Sequence, residues 1–366
     1  MSNKSNAPEF FVLNWIRGIC AILVVFGHAR FFYPYENLSR DGNITNIEKI
    51  LLLPTSLAVE SVAIFFLISG FLVGGQVWRN VNLGIFSWKK FLVDRLTRFW
   101  VVLIPGLFFS QVLHNVVTKG ENLVSVSNDS LKNMGCNLIF LMPTRCKPFA
   151  KNESLWSLGY EFYFYLIFAL VISLIYRKNS VKSKILHIIW IQIVAVSFTP
   201  ALFILILPWL LGFYIYIVFE KRKNKKITIK LSQRWIIAIL LLACILLSSN
   251  IYVYSQTTTI LFTALGASYV ILLATYYSKH NISIFHGKMR LLNFLGKASF
   301  TIYVFHLPFI QFYYFMISNL FPAFDVIVVY FVAFLSCITS SLLYFVFEKH
   351  TFLIRNFVYR RLKIIV

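Results

Sequence analysis

NWIRGICAILVVFGHAR, residues 14–30, has the length and polarity of a bilayer-crossing helix, yet it carries an arginine and a histidine that such a helix should exclude. A span needs about 20 mostly apolar residues. Runs of that kind recur at 11–33, 56–78, 98–117, 155–176, 184–200, 201–219, 234–249, 258–277, 299–320 and 325–347. The expected architecture is therefore all-α and polytopic, about ten transmembrane helices forming one transmembrane domain over residues 1–366. Composition agrees, with 59% of the residues hydrophobic and only 13% charged, far from the balance of a soluble domain.

The formal charge of +22 sits in short clusters between the apolar runs. Lys and Arg gather after the second, fourth, sixth, eighth and tenth runs, whereas the segments after the fifth, seventh and ninth carry none. Basic loops stay on the cytoplasmic side, so both termini are expected there. The same distribution argues against a nucleic-acid partner, because no recognition fold or stacking aromatics accompany the basic clusters. KRKNKK at 221–226 reads as a topogenic loop, with an anionic-lipid site as the alternative. The opening MSNKSNAPEFF lacks the features of a cleaved signal. The Cys residues show no metal spacing with His, so no metal is expected. Cys136 and Cys146 fall in the long external segment 118–154, where an oxidising periplasm would permit a disulfide.

Ionisable residues inside spans mark pathways or sites by default. Arg17 and His28 are eleven residues apart. Eleven helical steps return to within about 20° of the starting direction and rise about 16 Å. The two side chains thus share one helix face at different depths, with Arg17 cytoplasmic and His28 toward the outside. The simpler alternative is that Arg17 snorkels to the interface and His28 bonds a neighbouring helix.

LWSLGYEFYFYL, 155–166, puts Glu161 about a turn and a half below the external surface, at the depth of His28. A histidine paired with that carboxylate is a general base with an orienting partner. Glu60 is the competing carboxylate. Arg95 and Arg98, spaced i, i+3 in KKFLVDRLTRFW, suit a phosphate, although simple topological anchoring explains them equally well. FFLISGFLVGG, 65–75, lets helices approach closely around Ser69. SFTIYVFH sets Ser299, Tyr303 and His306 on one stripe in the inner half of the ninth span, either lining a cavity or bridging helices.

These segments together resemble the acyltransferase 3 family of integral membrane acyltransferases, which includes O-antigen and exopolysaccharide O-acetylases. The resemblance rests on Arg17-x10-His28, FFLISGFLVGG, Arg95-x-x-Arg98, LWSLGYEFYFYL and LGKASFTIYVFHLPF at 295–309. It implies transfer of an acyl group, usually acetyl, from cytoplasmic acyl-CoA to a sugar hydroxyl of a cell-surface or lipid-linked polysaccharide such as O-antigen, in a bacterial inner membrane. His28 would then be the catalytic base or acyl carrier, Arg17 its motif partner and Glu161 the glutamate of the W-S-L-x-x-E segment. Arg95 and Arg98 would serve the acyl-CoA or the fold, and Ser69, Tyr303 and His306 complete the residues assigned to donor binding. Asn14-Trp15 stands where many members have an acidic residue ahead of the arginine. No metal is implied, and acyl-CoA, the polysaccharide and membrane lipid are the expected partners. Some members carry a C-terminal esterase-like domain, so this chain is expected to act alone or with a separate partner. The rival reading is a transporter or flippase for a glycolipid or acyl group, against which stands the lack of a visible inverted repeat.

Overall fold

The computed structural model describes residues 11–31, 46–118, 128–142, 144–176, 200–222, 260, 263–265, 267–268, 271, 290–320 and 326–364. Among the described residues there is no strand, and the chain is helical almost throughout. The α-helices are α1 (Phe11–Phe31), α2 (Asn46–Leu51), α3 (Ala58–Ser69), α4 (Gly75–Asn82), α5 (Trp88–Val117), α6 (Asn128–Leu138), α7 (Trp156–Tyr176), α8 (Pro200–Arg222), α9 (Arg290–Leu320), α10 (Val326–Val346) and α11 (Thr351–Arg361). Among the described residues, seven helical segments are long and apolar enough to cross a membrane. The expected runs 184–200 and 234–249, and most of 258–277, lie outside the described residues.

Two helices begin earlier than hydropathy suggests. α5 starts at Trp88 rather than at 98, with the Ser87 side chain accepting from the Lys90 amide at 3.5 Å as its N-cap. α9 starts at Arg290 rather than at 299, which adds nine residues, about 14 Å, below Ser299. The reason is the same in both. Exposed polar residues such as Lys297 depress the hydropathy of a turn whose other faces still pack.

α1 and α9 run in the same direction and pack along their whole lengths. The Asn14 amide donates to Asn293 Oδ1 at 3.4 Å near one end, and the Tyr314 hydroxyl donates to the Ala29 carbonyl at 2.8 Å near the other. Between them the backbones nearly touch: a methyl group at Gly18 would lie 2.9 Å from the Gly296 nitrogen. Small residues at such crossings allow close backbone approach. Ala21, Val25 and Ala29 then bury against Ala298, Ile302 and Ile310.

α3 and α4 form one continuous span interrupted by a π-turn at Gly70–Gly74. A π-turn inserts one extra residue and rotates the rest of the helix about its axis, a device frequent at functional sites. Its position is locked by α8, because a methyl group at Gly70 would overlap the Trp209 carbonyl and one at Gly212 the Leu67 carbonyl.

The segment before α7 is drawn deep into the bundle by a proline. Pro308, inside α9, has no amide proton for the Val304 carbonyl one turn back. The side-chain amide of Asn152, itself buried, fills that vacancy at 3.1 Å and also donates to Ser110 Oγ at 3.0 Å. Ser154 in turn donates to Asn152 Oδ1 at 2.7 Å, and Tyr303 donates to the Ser154 carbonyl at 2.7 Å. The short 3-10 turns Phe149–Lys151 and Glu153–Leu155 therefore deliver α7 beside the middle of α9. In the segment before α7, Cys136 and Cys146 are free thiols in contact with each other.

Candidate active site

The submerged start of α7, the π-turn of α3–α4, the early start of α5 and the α1–α9 pair enclose one cavity of about 180 Å³. Arg17, Arg95, Arg98, Glu161, Ser69 and Tyr303 all line it, with Phe65, Phe66 and Phe99 among its apolar walls. Six of the eight residues assigned site roles from the sequence thus meet around a single space, together with Ser299. Three arginines against one glutamate leave the lining net cationic.

The arginines differ in how they are held. Arg95 donates to the Gln76 side chain, and its guanidinium carbon lies 5.5 Å from the centre of the Tyr165 ring and 5.8 Å from that of Phe91. Arg98 lies over the Phe300 ring at 5.9 Å. Among the described residues, neither Arg17 nor Arg98 makes a hydrogen bond or a salt bridge. Arg17 is repelled by Arg98 and attracted by Glu348 and Glu161. Two guanidinium groups facing one cavity with no direct hydrogen bond, in a medium that screens charge poorly, make a site for an anion or a strongly polarised carbonyl.

Glu161 does not pair with His28, contrary to expectation. Its carboxylate accepts from the Tyr165 hydroxyl one turn further along α7, at 2.5 Å, and Ser69 donates to that same hydroxyl at 2.9 Å. Depth counted from the external surface misleads here, because α7 begins beside the middle of α9 rather than at that surface. Glu161 therefore lies at the level of the arginines. Glu60, the competing carboxylate, is buried and does not line the cavity.

His28 instead faces His306. His306 Nε2 lies 3.3 Å from His28 Nδ1, with ring centroids 4.9 Å apart. His306 sits sixteen residues into α9, so it belongs to the level of His28 rather than to the inner half of its span. The reason is the early start of the helix at Arg290. Neither histidine lines the cavity. Tyr303 separates them from it: its ring centroid lies 5.7 Å from that of His306, and its hydroxyl accepts from Ser157 at 2.7 Å in the cavity wall. Phe65 packs edge-on against the same tyrosine at 6.2 Å.

The family model described as an acyltransferase domain, that of the acyltransferase 3 family, matches residues 11–346, which includes every residue that lines the cavity and both histidines. The chain belongs to the acyltransferase 3 family. It is 29% identical over 153 residues to an uncharacterized protein of Haemophilus influenzae, a stretch covering 38% of this chain and 61% of that protein. The chain thus spans about three fifths of the length of that curated relative. No solved structure matches the chain.

In this member of the acyltransferase 3 family, three residues of the site escaped sequence reading. Tyr165 stands four residues after Glu161 and was legible as its i, i+4 neighbour. Ser157 stands four residues before Glu161 on the same face. Glu348 lies just beyond the last long apolar run, and its carboxylate accepts from both the Thr301 amide at 3.1 Å and the Thr301 hydroxyl at 2.6 Å. From there it interacts with Arg98 and Arg17. A lone carboxylate ending an apolar run was the available signal, but its partner is 47 residues away in the chain. Among the described residues no His, Cys, Asp and Glu group could hold a metal.

Proposed function

We propose that this acyltransferase moves an acyl group, acetyl in the first instance, from cytoplasmic acyl-CoA to a hydroxyl of a cell-surface or lipid-linked polysaccharide such as O-antigen, in a bacterial inner membrane. The observation that carries the reading is the cavity lined by Arg17, Arg95 and Arg98, which offers cations to the anionic donor. At about 180 Å³ the space is smaller than the ~300–1,000 Å³ of pockets that enclose a whole drug-sized ligand. It suits the reactive end of an acyl donor, with the nucleotide end lying outside.

In the reaction, the acceptor oxygen attacks the thioester carbonyl, a C–O bond forms, the C–S bond breaks, and CoA leaves as the thiol. His28 takes the hydroxyl proton. Arg17 and Arg98 hold the anionic donor at the cavity, with Glu161, bonded by Tyr165, among them, and the tetrahedral intermediate forms where the thioester carbonyl meets the acceptor hydroxyl beside His28. The acyl end travels about 16 Å along α1 from the level of Arg17 to that of His28, passing Tyr303.

The test is His28→Ala in the native cell, read by mass spectrometry of the surface glycans and by immunoblot of the membrane fraction. Loss of the acyl mass shift at normal protein abundance is expected. Retained acylation removes His28 from the chemistry. Purified protein given acetyl-CoA and acceptor should release free CoA thiol, and failure of the wild-type protein to do so with any hydroxyl acceptor ends the acyl-transfer reading itself.

A further inference from the structure

The two histidines behind Tyr303 have neighbours that constrain which ring nitrogen of each carries a proton. His306 Nδ1 lies 2.8 Å from the Tyr303 carbonyl and 3.1 Å from the Ile302 carbonyl of its own helix. His28 Nδ1 lies 3.0 Å from the Val24 carbonyl of α1. Carbonyl oxygens only accept, so both Nδ1 atoms carry a proton. The contact between the rings, His28 Nδ1 to His306 Nε2, then admits one arrangement. A proton on His306 Nε2 would point at the proton already on His28 Nδ1, so His306 Nε2 is bare and accepts. His28 Nε2 is left unprotonated, and among the described residues it has no hydrogen-bond partner.

We propose that His306 is a positioning residue that holds His28 in the Nδ1–H form and so presents its Nε2 lone pair as the base, an inference that rests on the acyl-transfer reading of the same site. Donation runs one way, from the acceptor hydroxyl through His28 and His306 to the α9 carbonyls. When His28 Nε2 takes the hydroxyl proton, the Nδ1–H shared between the Val24 carbonyl and His306 Nε2 becomes charge-assisted and strengthens as the transition state forms. His306 fills the orienting role that a carboxylate fills in other base pairs, without placing a second charge in the membrane interior. Its own position is fixed by complete burial and by two carbonyls of the turn preceding Pro308.

The test uses full-length protein in lipid nanodiscs. With 15N-histidine labelling, wild-type protein should show a through-hydrogen-bond 15N–15N coupling between His28 Nδ1 and His306 Nε2, with His28 protonated at Nδ1. Absence of the coupling, or a proton on His28 Nε2, overturns the proposal without any enzyme assay. His306→Leu, which removes the acceptor, should lower kcat roughly tenfold or more at unchanged KM for the acyl donor, within the roughly 10²- to 10⁴-fold a positioned base contributes. His306→Gln can place an oxygen near the lost nitrogen and should restore part of the rate. Full activity of the leucine variant, or equal loss in both variants, overturns the proposal. If wild-type protein shows the coupling yet transfers no acyl group, the functional reading has failed and the proton arrangement stands.

Discussion

Replacing Asn152 by alanine removes three hydrogen bonds from the junction between α7 and α9: those to Val304, Ser110 and Ser154. Hydrogen bonds between membrane helices are worth about 0.6 kcal/mol on average and up to about 1.7. Three of them come to about 2 kcal/mol, and the Val304 carbonyl and Ser154 hydroxyl left without a partner raise the cost toward about 4. Ser110 is spared, because its hydroxyl also donates to the Gly106 carbonyl at 2.8 Å. The cost should depend on Pro308, whose missing amide is the reason Val304 needs a partner. In a Pro308→Ala background the helix recovers its own proton donor, and Asn152→Ala should become about 1 kcal/mol cheaper. The assay is reversible unfolding in mixed micelles of detergent and SDS, run on wild-type protein, both single variants and the double variant. Costs of Asn152→Ala that agree within about 0.3 kcal/mol in the two backgrounds would refute the reasoning, since uncoupled sites add to that precision.

Arg17→Ala and Arg98→Ala should each weaken acyl-CoA binding roughly 10- to 150-fold, the value of a hydrogen bond to a charged group, and unchanged affinity by calorimetry would return both residues to a topological role. Gly70→Ala or Gly212→Ala should abolish the monodisperse peak in size-exclusion chromatography, because each new methyl overlaps a carbonyl across the α3–α8 crossing, whereas Gly135→Ala, with no neighbouring atom within 4 Å, should leave it intact. Burial, and then the neighbouring Cys136 thiol, push the Cys146 thiol up to about 12. Its reactive thiolate is therefore scarce until the pH nears that value, so Cys146 should resist alkylation at about pH 8 and gain reactivity as pH rises, and rapid labelling at about pH 8 contradicts this.

Hydropathy and charge alternation made the helical membrane class legible, and the eleven-residue spacing of Arg17 and His28 correctly put them on one face of α1. The cavity residues were also readable one by one, since each is a polar group in an apolar run. What the sequence hid was depth. Counting residues from the supposed membrane surface put Glu161 beside His28 and left His306 in the inner half of its span. Both errors come from helix starts that hydropathy cannot see: α9 opens with the polar residues Arg290, Asn293 and Lys297, of which Asn293 faces α1, and α7 opens inside the bundle because a distant proline leaves a carbonyl, 152 residues along the chain, for Asn152 to cap. That Pro308 frees the Val304 carbonyl is dictated by covalent structure alone. Which side chain answers it is decided by long-range packing, as is the reach of Glu348 to Thr301.

The parallel pairing of α1 with α9 has a consequence for biosynthesis. His28 and His306 are 278 residues apart, so at about 5–20 residues per second the first helix leaves the ribosome roughly 15–55 s before its principal partner exists. Through that interval Arg17 and His28 sit in a hydrophobic segment whose mate has not been made. The residues that build the site are thus the ones that make the nascent chain hardest to hold in the bilayer, and a slower ribosome or an earlier stall lengthens the exposure of those same two side chains.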